Sequence, residues 1–356
     1  MKHVFKAWGA IGLVAVLFGW SVPAVLAAPA ARTRGKAAEP PKEDADEFIG
    51  EYAGTFSSSK GKAVSGVAKV YGRRSGKGVS YRAALYAVES GQVEKTVIGP
   101  GTKVLFSAEV PGSVGGGGVR LKGKGWTGLV RGGRLLAAGR RGKFALSSVV
   151  RKSPTELAKP PAGAIVLLPV EAGKGPSLAE WTNRRWVPLR DGSVLVKGGD
   201  NCTKRPFSRF TLHLEFRIPT FARGGGNSGV YILDRYEIQV LDSFGHKPSK
   251  GGCAAVYQTH PPTVNASLPA GRWQTFDITF QGPKLEGGKC VRLPKVTVLH
   301  NGVTVQKDAD VPNATGMARS KGHGEKGPIR LQDHGSPIRF RNIWIVEQQE
   351  ESGPTR

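Results

Sequence analysis

Two stretches in the C-terminal half decide the fold class. Residues 210–217 read Phe-Thr-Leu-His-Leu-Glu-Phe-Arg, and residues 236–243 read Tyr-Glu-Ile-Gln-Val-Leu-Asp-Ser. In both stretches apolar and polar side chains alternate with a period of two, which is typical of a half-buried β-strand. Further short segments of this kind follow at residues 273–280, 295–300 and 338–346. Their spacing predicts an all-β fold with an antiparallel sandwich over residues 164–348.

The same alternation gives each strand one polar face. The polar sets are His213, Glu215 and Arg217 on the first strand, Glu237 and Gln239 on the second, and Gln332 and His334 on a third. Carboxylate and amide groups gathered on one face are what a sugar-binding surface requires, because they form hydrogen bonds with hydroxyls. An amphipathic edge that faces water would show the same pattern, and this alternative stays open.

A glycine-rich loop, residues 223–229, lies between the first two strands. Its glycines permit a positive φ and a close approach of the backbone to a ligand. Asn227 and Ser228 would supply short hydrogen-bonding groups there, although an ordinary turn would look similar. The loop follows no βαβ pattern and opens no helix, so it does not predict a phosphate site.

The N-terminal half divides into several predicted segments. Residues 47–150 alternate short β-prone runs with glycine turns and predict a small all-β accessory domain, to which we assign no chemistry. The proline-bearing residues 151–163 predict a connector. Residues 28–46 predict a disordered linker and residues 349–356 a tail.

Residues 1–27 have the features of a secretory signal peptide. Two lysines, Lys2 and Lys6, precede an apolar run that Ser21 and Pro23 interrupt, and small residues follow at cleavage spacing. We therefore expect an exported protein, periplasmic or secreted. No later apolar run is long enough to span a bilayer, so no transmembrane segment is expected in the mature chain.

The chain is strongly basic, with a formal net charge of +25. The basic residues are scattered among glycines, as in residues 72–78 and 139–143, and the sequence offers neither a recognition helix nor an aromatic-interleaved stripe. Nucleic acid is therefore not favoured as a partner. An acidic polysaccharide or an envelope surface is the partner that this charge suggests.

The three cysteines do not predict a cofactor site. The spacings of Cys202, Cys253 and Cys290 match no zinc pattern, so core or disulfide roles are favoured and the pairing is open. No cofactor is expected, although a divalent cation held by carboxylates or histidine is left open because no spacing is diagnostic of one.

Several of these segments, in this order and spacing, resemble the 3-keto-disaccharide hydrolase family. The similar segments are residues 210–217, 226–231, 235–243, 268–277, 300–303, 327–335 and 341–344. The resemblance spans roughly residues 164–346 and implies a concanavalin A-like jelly-roll sandwich. For characterised members of the family it implies cleavage of 3-keto-glycosides by removal of the C2 proton, β-elimination at C1 and addition of water.

This chemistry needs a base and a group that stabilises the enolate. Glu237 or His334 is the predicted base, with Arg217 and Asn227 near the enolate oxygen. The residues predicted to bind substrate are Glu215, Asn227, Ser228, Gln239, Asp242, Tyr257 and Gln332.

Two other functions stay open at the level of sequence. Glu237 and Asp242 lie five residues apart, as do two carboxylates in sandwich-fold β-glucanases, but a retaining glycosidase of this type would require a bulge between them. A non-catalytic, lectin-like sugar-binding module would share the fold.

Overall fold

A computed structural model describes residues 37–42, 46–76, 78–89, 97–98, 101–171 and 173–348. The predicted leader, residues 1–27, and the predicted tail, residues 349–356, lie outside these residues. In the described part of the chain, no helix is long and apolar enough to cross a membrane.

The first eight strands form a closed antiparallel barrel. They are β1 (Gly50–Ser58), β2 (Ala63–Ser75), β3 (Gly78–Val88), β4 (Val104–Val114), β5 (Val119–Gly123), β6 (Trp126–Arg131), β7 (Arg134–Gly139) and β8 (Gly142–Val149). Each strand pairs with the next, and β1 pairs with β8, which closes the barrel. Alternate side chains such as Leu85, Val110 and Leu135 point inward and form its core.

The C-terminal half contains a large sheet built from eight strands. They are β9 (Ile165–Leu168), β10 (Val187–Pro188), β11 (Val194–Leu195), β13 (Phe210–Arg217), β16 (Trp273–Gln281), β19 (Lys295–His300), β20 (Val303–Asp310) and β22 (Arg339–Glu347). Their order is β10-β11-β22-β13-β16-β19-β20, and β9 pairs with β22.

A smaller sheet faces the large one and completes the sandwich. It has the order β12-β21-β14-β15, in which the strands are β12 (Asn201–Cys202), β14 (Ser228–Ile232), β15 (Tyr236–Val240) and β21 (Arg330–Leu331). The strands β17 (Lys284–Glu286) and β18 (Lys289–Arg292) form a separate ribbon. Phe216 and Phe276 of the large sheet and Ile238 of the small sheet belong to the shared apolar core. The predicted fold class, an all-β chain with a C-terminal jelly-roll sandwich behind a small all-β part, is confirmed.

The barrel and the sandwich belong to one compact unit. Arg151, just after β8, forms a buried ion pair with Glu51 of β1 and donates hydrogen bonds to the carbonyls of Ala266 and Ser267 in the sandwich. The predicted division into separate domains therefore stays a prediction.

Part of the predicted disordered linker is ordered. The Ala38 N–H donates to the carbonyl of Pro188 at 3.1 Å, the Arg190 N–H donates to the carbonyl of Ala38 at 2.9 Å, and Glu39 forms an ion pair with Arg190. Backbone pairing with residues 188–190 holds residues 37–42, which a composition argument could not anticipate.

The three cysteines carry free thiols. Cys253 belongs to the sandwich core, and burial raises the pKa of its thiol to about 12. A thiol held protonated in this way is a packing group rather than a nucleophile.

Candidate functional site

The outer face of the small sheet carries a row of three polar side chains, one on each of three neighbouring strands. Glu237 on β15 lies opposite Tyr231 on β14, and Tyr231 lies opposite Arg330 on β21. Their strand neighbours Val230, Ile238 and Leu331 point into the sandwich core. Period-two alternation therefore places the charged row on the side away from the core.

Glu237, at one end of this row, is its candidate catalytic group. Its carboxylate oxygen Oε2 accepts a hydrogen bond from the Tyr231 hydroxyl at 2.8 Å, and only 3 % of the residue is exposed. Burial raises the pKa of Glu237 to about 7, while the Tyr231 hydrogen bond and the charges of Arg330 and His334 act in the lowering direction. A carboxyl group with a pKa near neutral can both take and return a proton at physiological pH.

Two glycines make room for this carboxylate. A Cβ atom at Gly229 would lie 2.5 Å from Glu237 Oε1, and a Cβ atom at Gly316 would meet Oε2 and the Tyr231 hydroxyl. Gly316 also has a φ of +56°, which L side chains rarely adopt. The backbone thus approaches the carboxylate more closely than any other residue type would allow.

Tyr231 is held on several sides. Its hydroxyl accepts hydrogen bonds from the Met317 N–H at 2.9 Å and from Gln332 Nε2 at 3.4 Å. The Arg330 guanidinium lies 3.6 Å from the centre of its ring. With these acceptor positions filled, the Tyr231 hydroxyl has its proton free for Glu237, and burial together with Glu237 raises the pKa of Tyr231.

Arg330 is fixed in turn by acidic groups. It is 1 % exposed, forms an ion pair with Asp200 at 2.8 Å and another with Asp234, and donates to the carbonyl of Met317 at 2.9 Å. A guanidinium with its donors occupied in this way positions Tyr231 and leaves little hydrogen-bonding capacity for a ligand.

A second row lies beside the first. Gln239 on β15 is opposite Gly229 on β14, and the Gln332 N–H donates to the carbonyl of Gly229 at 2.9 Å. Because Gly229 has no side chain, the Glu237 carboxylate lies over its backbone, between the strands that carry the two glutamines. Among the described residues, the side-chain oxygens of Gln239, Gln332 and the neighbouring Asn227 have no hydrogen-bond partner although they are buried. Unpaired buried acceptors are costly, so their presence on one face indicates a ligand that donates hydroxyl groups.

The structure separates Glu215 and Arg217 from this face. Both lie on β13, which belongs to the large sheet, so the prediction that β13 shares a face with β15 is wrong. Oε1 of Glu215 accepts hydrogen bonds from the Leu157 N–H at 2.5 Å and from Asn342 at 2.9 Å, and its Oε2 accepts one from Arg341 at 2.7 Å. Glu215 is fully buried beneath the connector segment and binds its own protein in place of a substrate.

The connector also contacts polar side chains of the neighbouring strand β16. The Ser153 hydroxyl lies 2.6 Å from the Thr275 hydroxyl, and Thr155 Oγ1 donates to Asp277 at 2.8 Å. Asp277 in turn lies 2.6 Å from Nδ1 of His213. We therefore assign Glu215 and His213 of β13 a structural role.

The remaining predicted residues lie in different places. The Ser228 hydroxyl donates to the carbonyl of Gln332 at 2.7 Å, so it is engaged within the sheet. Tyr257 lies at the end of a segment that pairs with the edge of β15. Its N–H donates a hydrogen bond to the carbonyl of Glu237 at 3.0 Å. His334 is exposed and close enough to influence the charge of Glu237.

Asp242 does not join Glu237. It lies beyond the end of β15, in a cleft of ≈ 630 Å³ that also includes Arg73 of the barrel. Burial raises its pKa to about 6, against the hydrogen bond from the Phe244 N–H and the charge of Arg73. The pairing of β14 with β15 has no register shift, so the bulge that a glucanase-like pair of Glu237 and Asp242 would require is not found within β15.

Five residues of the site, Tyr231, Arg330, Thr315, Gly316 and Met317, were not predicted. Tyr231 has a recognisable signal, since it is two residues after Gly229 and so shares the face of Asn227. Thr315, whose hydroxyl accepts from the Glu237 N–H at 2.7 Å, and its neighbours Gly316 and Met317 come from a loop with no periodic pattern. Only the fold brings that loop to the carboxylate.

Within the described residues, no group of three or more His, Cys, Asp or Glu side chains is arranged to hold a metal ion. The carboxylates nearest to the row, Asp200 and Asp234, are engaged by Arg330.

The fold and this face define a β-sandwich protein with a buried carboxylate beside amide side chains on its small sheet. Residues 163–346 match the model of the 3-keto-alpha-glucoside-1,2-lyase-like domain, and this match covers just over half of the chain. The chain belongs to this family.

Individual proteins are also similar to parts of this chain. A 3-keto-disaccharide hydrolase of Bacteroides thetaiotaomicron is 25 % identical, over 42 % of this chain and 61 % of the relative, so the chain spans about three fifths of that relative's length. A solved structure from Parabacteroides distasonis, described as a candidate glycosyl hydrolase, is 34 % identical over 53 % of this chain and 85 % of its own, with a TM-score of 0.47. A second such structure from the same organism is 24 % identical over 48 % of this chain and 95 % of its own, with a TM-score of 0.37.

Proposed function

We propose that this protein is a carbohydrate-acting enzyme that cleaves 3-keto-glycosides, with Glu237 as the base. The observation that carries the proposal is the Glu237 carboxylate, whose burial raises its pKa to about 7, beside three buried oxygen acceptors without partners among the described residues. A ketone at C3 acidifies the proton on C2, so a carboxylate base of this strength is suited to remove it. Family membership supports the substrate class.

The first half of the proposed reaction is removal of the C2 proton and elimination at C1. Glu237 takes the C2 proton, and the electron pair of the C2–H bond forms the enolate, whose charge rests on O3. Side-chain N–H groups of Gln239 and Gln332 would donate hydrogen bonds to this oxygen. The enolate then collapses, the C1–O bond breaks, and the departing oxygen takes a proton from His334 or water.

The second half of the reaction returns the proton. Water adds its oxygen to C1 of the unsaturated ketone and gives up one proton to His334 or to bulk water, which restores the group that protonated the departing oxygen. C2 regains a proton from the carboxyl group of Glu237. The net change is hydrolysis of the glycosidic bond, with Glu237 back in its starting form. Asn227, Gln239 and Gln332 oxygens would accept hydrogen bonds from sugar hydroxyls throughout.

The test compares 3-keto-trehalose with trehalose and laminarin, in D₂O, with and without chelator. We expect glucose release from the keto-sugar alone, and deuterium at C2 of the released 3-keto-glucose beyond the spontaneous exchange of an enzyme-free control. Cleavage of trehalose or laminarin without deuterium at C2 would identify an ordinary glycosidase. Binding without turnover of any of the three sugars would identify a lectin-like module.

We also propose that the protein is exported, because residues 1–27 have the composition of a signal peptide. N-terminal sequencing of the protein purified from a bacterial host should then begin near Ala28. A protein that starts at Met1 in the cell extract, with none in the periplasm or medium, would contradict this proposal.

A further inference from the structure

A cleft of ≈ 1150 Å³ lies on the wall of the barrel, and most of its lining residues precede the family-matched region. Strands β2, β3 and β4 contribute Arg73, Arg82 and Phe106, the β7–β8 turn contributes Arg141, and the sandwich contributes the loop of residues 245–247. The cleft therefore spans the barrel and the sandwich. Its size is that of a ligand-binding pocket rather than of a surface irregularity.

The charge of this cleft is one-sided. Its lining contains the single carboxylate Glu109 and six basic side chains, which are Arg73, Arg82, Lys124, Arg140, Arg141 and Lys247. Glu109 is already paired with Arg82 at 2.6 Å. For the other five cations, no carboxylate of the described chain lies within ion-pair distance. Converging like charges without counter-charges raise the local concentration of an anionic ligand.

Three of the four Phe, Tyr and Trp rings that line the cleft are already engaged. Phe106 stacks on Trp126 with 5.5 Å between ring centres, and the Arg141 guanidinium lies 4.8 Å from the centre of the Phe106 ring. Tyr71 packs edge-on against His246 at 4.9 Å. A single-stranded nucleic acid requires free ring faces on which its bases stack, and these rings do not offer them.

A duplex nucleic acid fits the described barrel and sandwich no better. The helical structure in the described residues is the three-residue 3₁₀ turn Arg223–Gly225, so no helix is available to enter a major groove. The cleft does offer the hydroxyl groups of Ser80, Ser107 and Tyr86 beside its guanidinium groups. Guanidinium groups with hydroxyls suit sugars that carry carboxylate or sulfate groups.

The cleft continues toward the sandwich. The ≈ 630 Å³ cleft described above shares Arg73 and His246 with it and adds Arg74 and Arg223. This second cleft reaches Gly225 and Asp242, just past the end of β15. An extended ligand in the first cleft would therefore run toward the strand that carries Glu237 and Gln239.

We propose that the basic cleft of the barrel binds an acidic oligosaccharide, a chain of sugars that carry carboxylate or sulfate groups. Arg140 and Arg141 lie at its rim on the β7–β8 turn, where they meet the anionic groups. The site would hold the protein on an acidic glycan matrix beside the sandwich. This proposal does not depend on the proposed reaction, because its test measures binding.

The test is calorimetric titration of the full chain with four oligomers of equal length. They are an oligogalacturonate, a sulfated dextran oligomer, neutral maltohexaose and single-stranded DNA. We expect heat of binding with one or both acidic sugars and none with maltohexaose, and the two acidic sugars distinguish carboxylate from sulfate recognition.

A pair of double variants separates the cleft from net charge. Arg140→Glu/Arg141→Glu reverses two charges in the cleft, and Arg131→Glu/Arg134→Glu reverses two exposed arginines that flank the β6–β7 turn, at the other end of β7. Both variants lower the net charge equally. We expect the first to weaken binding of the acidic sugar by about tenfold or more, and the second by less than about threefold. Thermal unfolding of both variants confirms that they are folded.

Three results would overturn the proposal. Equal weakening by the two double variants would show that net charge alone attracts the glycan. Tighter binding of the DNA, lost in the cleft variant, would make the cleft a nucleic-acid site. No binding of any anion at low ionic strength would show that the cleft is not a binding site.

Discussion

Glu237 is a charged group that the fold tolerates at a cost in stability. Burial raises its pKa from 4.5 to about 7, so the folded protein holds a proton that the unfolded chain releases. The resulting penalty is absent below pH 4.5, grows as pH rises, and is complete above pH 7. The shift corresponds to roughly 3 kcal/mol.

Glu237→Gln should therefore abolish turnover and yet stabilise the protein. We expect a gain in the free energy of unfolding of about 1–3 kcal/mol at pH 8 and almost none at pH 4.5, because glutamine resembles the protonated carboxyl group. Urea unfolding of both proteins at the two pH values measures this. A stability change that is the same at both pH values would show that Glu237 has an ordinary pKa.

Tyr231 tunes this carboxylate. Its hydrogen bond acts to lower the pKa of Glu237, so Tyr231→Phe should raise that pKa further. We expect the rise of kcat/KM with pH to move to higher pH, with a lower rate at pH 7. Tyr236→Phe is the matched control, because the Tyr236 hydroxyl contacts His323 on the other side of the sheet. If both variants show the wild-type pH profile, Glu237 is not the base.

Among the structural elements, the connector has an unexpected role. Residues 153–158 lie across β13, β16 and β22 and supply partners for their outward polar side chains. Although burial acts to raise the pKa of Glu215, the nearby imidazole of His213, at 3.6 Å, and the charge of Arg341 lower it overall. Its contribution to stability is therefore present above the unfolded pKa of 4.5 and is lost as pH falls through the folded value.

Glu215→Gln should destabilise the protein without impairing the folded enzyme. We expect a loss of about 2–4 kcal/mol at pH 7, because Arg341 loses a buried partner, and a smaller loss near pH 3. Urea unfolding at both pH values and kcat of the folded fraction measure the two effects. A Glu215→Gln protein that is folded but inactive would show that Glu215 belongs to the functional site.

The sequence predicts which side chains share a strand face but not which sheet the strand joins. The alternation in residues 210–217 and 236–240 is correct in the structure, and it places Glu237 with Gln239 as expected. A polar face covered by a connector has the same pattern as one open to a ligand, so Glu215 and Arg217 were misplaced. Thr315 and Met317 could not be found, since their loop reaches Glu237 only through tertiary packing.

For the whole molecule, the ion pair between Arg151 and Glu51 joins barrel to sandwich. The side chains of Arg151 and Glu51 are 14 % and 2 % exposed, and breaking such a pair leaves a buried charge. We expect Arg151→Ala to lower the free energy of unfolding by about 2–3 kcal/mol. The loss is limited because the nearby ammonium group of Lys69 still offsets part of the Glu51 charge.

The exposed pair of Arg82 and Glu109 provides the comparison. Arg82→Ala should change the free energy of unfolding by less than about 1 kcal/mol, because water screens this pair. Calorimetric melting of both variants measures the difference. Equal effects of the two substitutions would mean that the barrel and the sandwich are not joined through Arg151.

The pairing of Ala38 with residues 188–190 has a consequence for the barrel. The chain touches the sandwich before it enters β1 and again after it leaves β8, at Arg151. The barrel segment is thus attached to the sandwich at both its N-terminal and its C-terminal end. If a protease cut the chain next to one attachment, the other attachment would keep the barrel at high effective concentration beside the sandwich. The two parts would therefore stay together after a single cut.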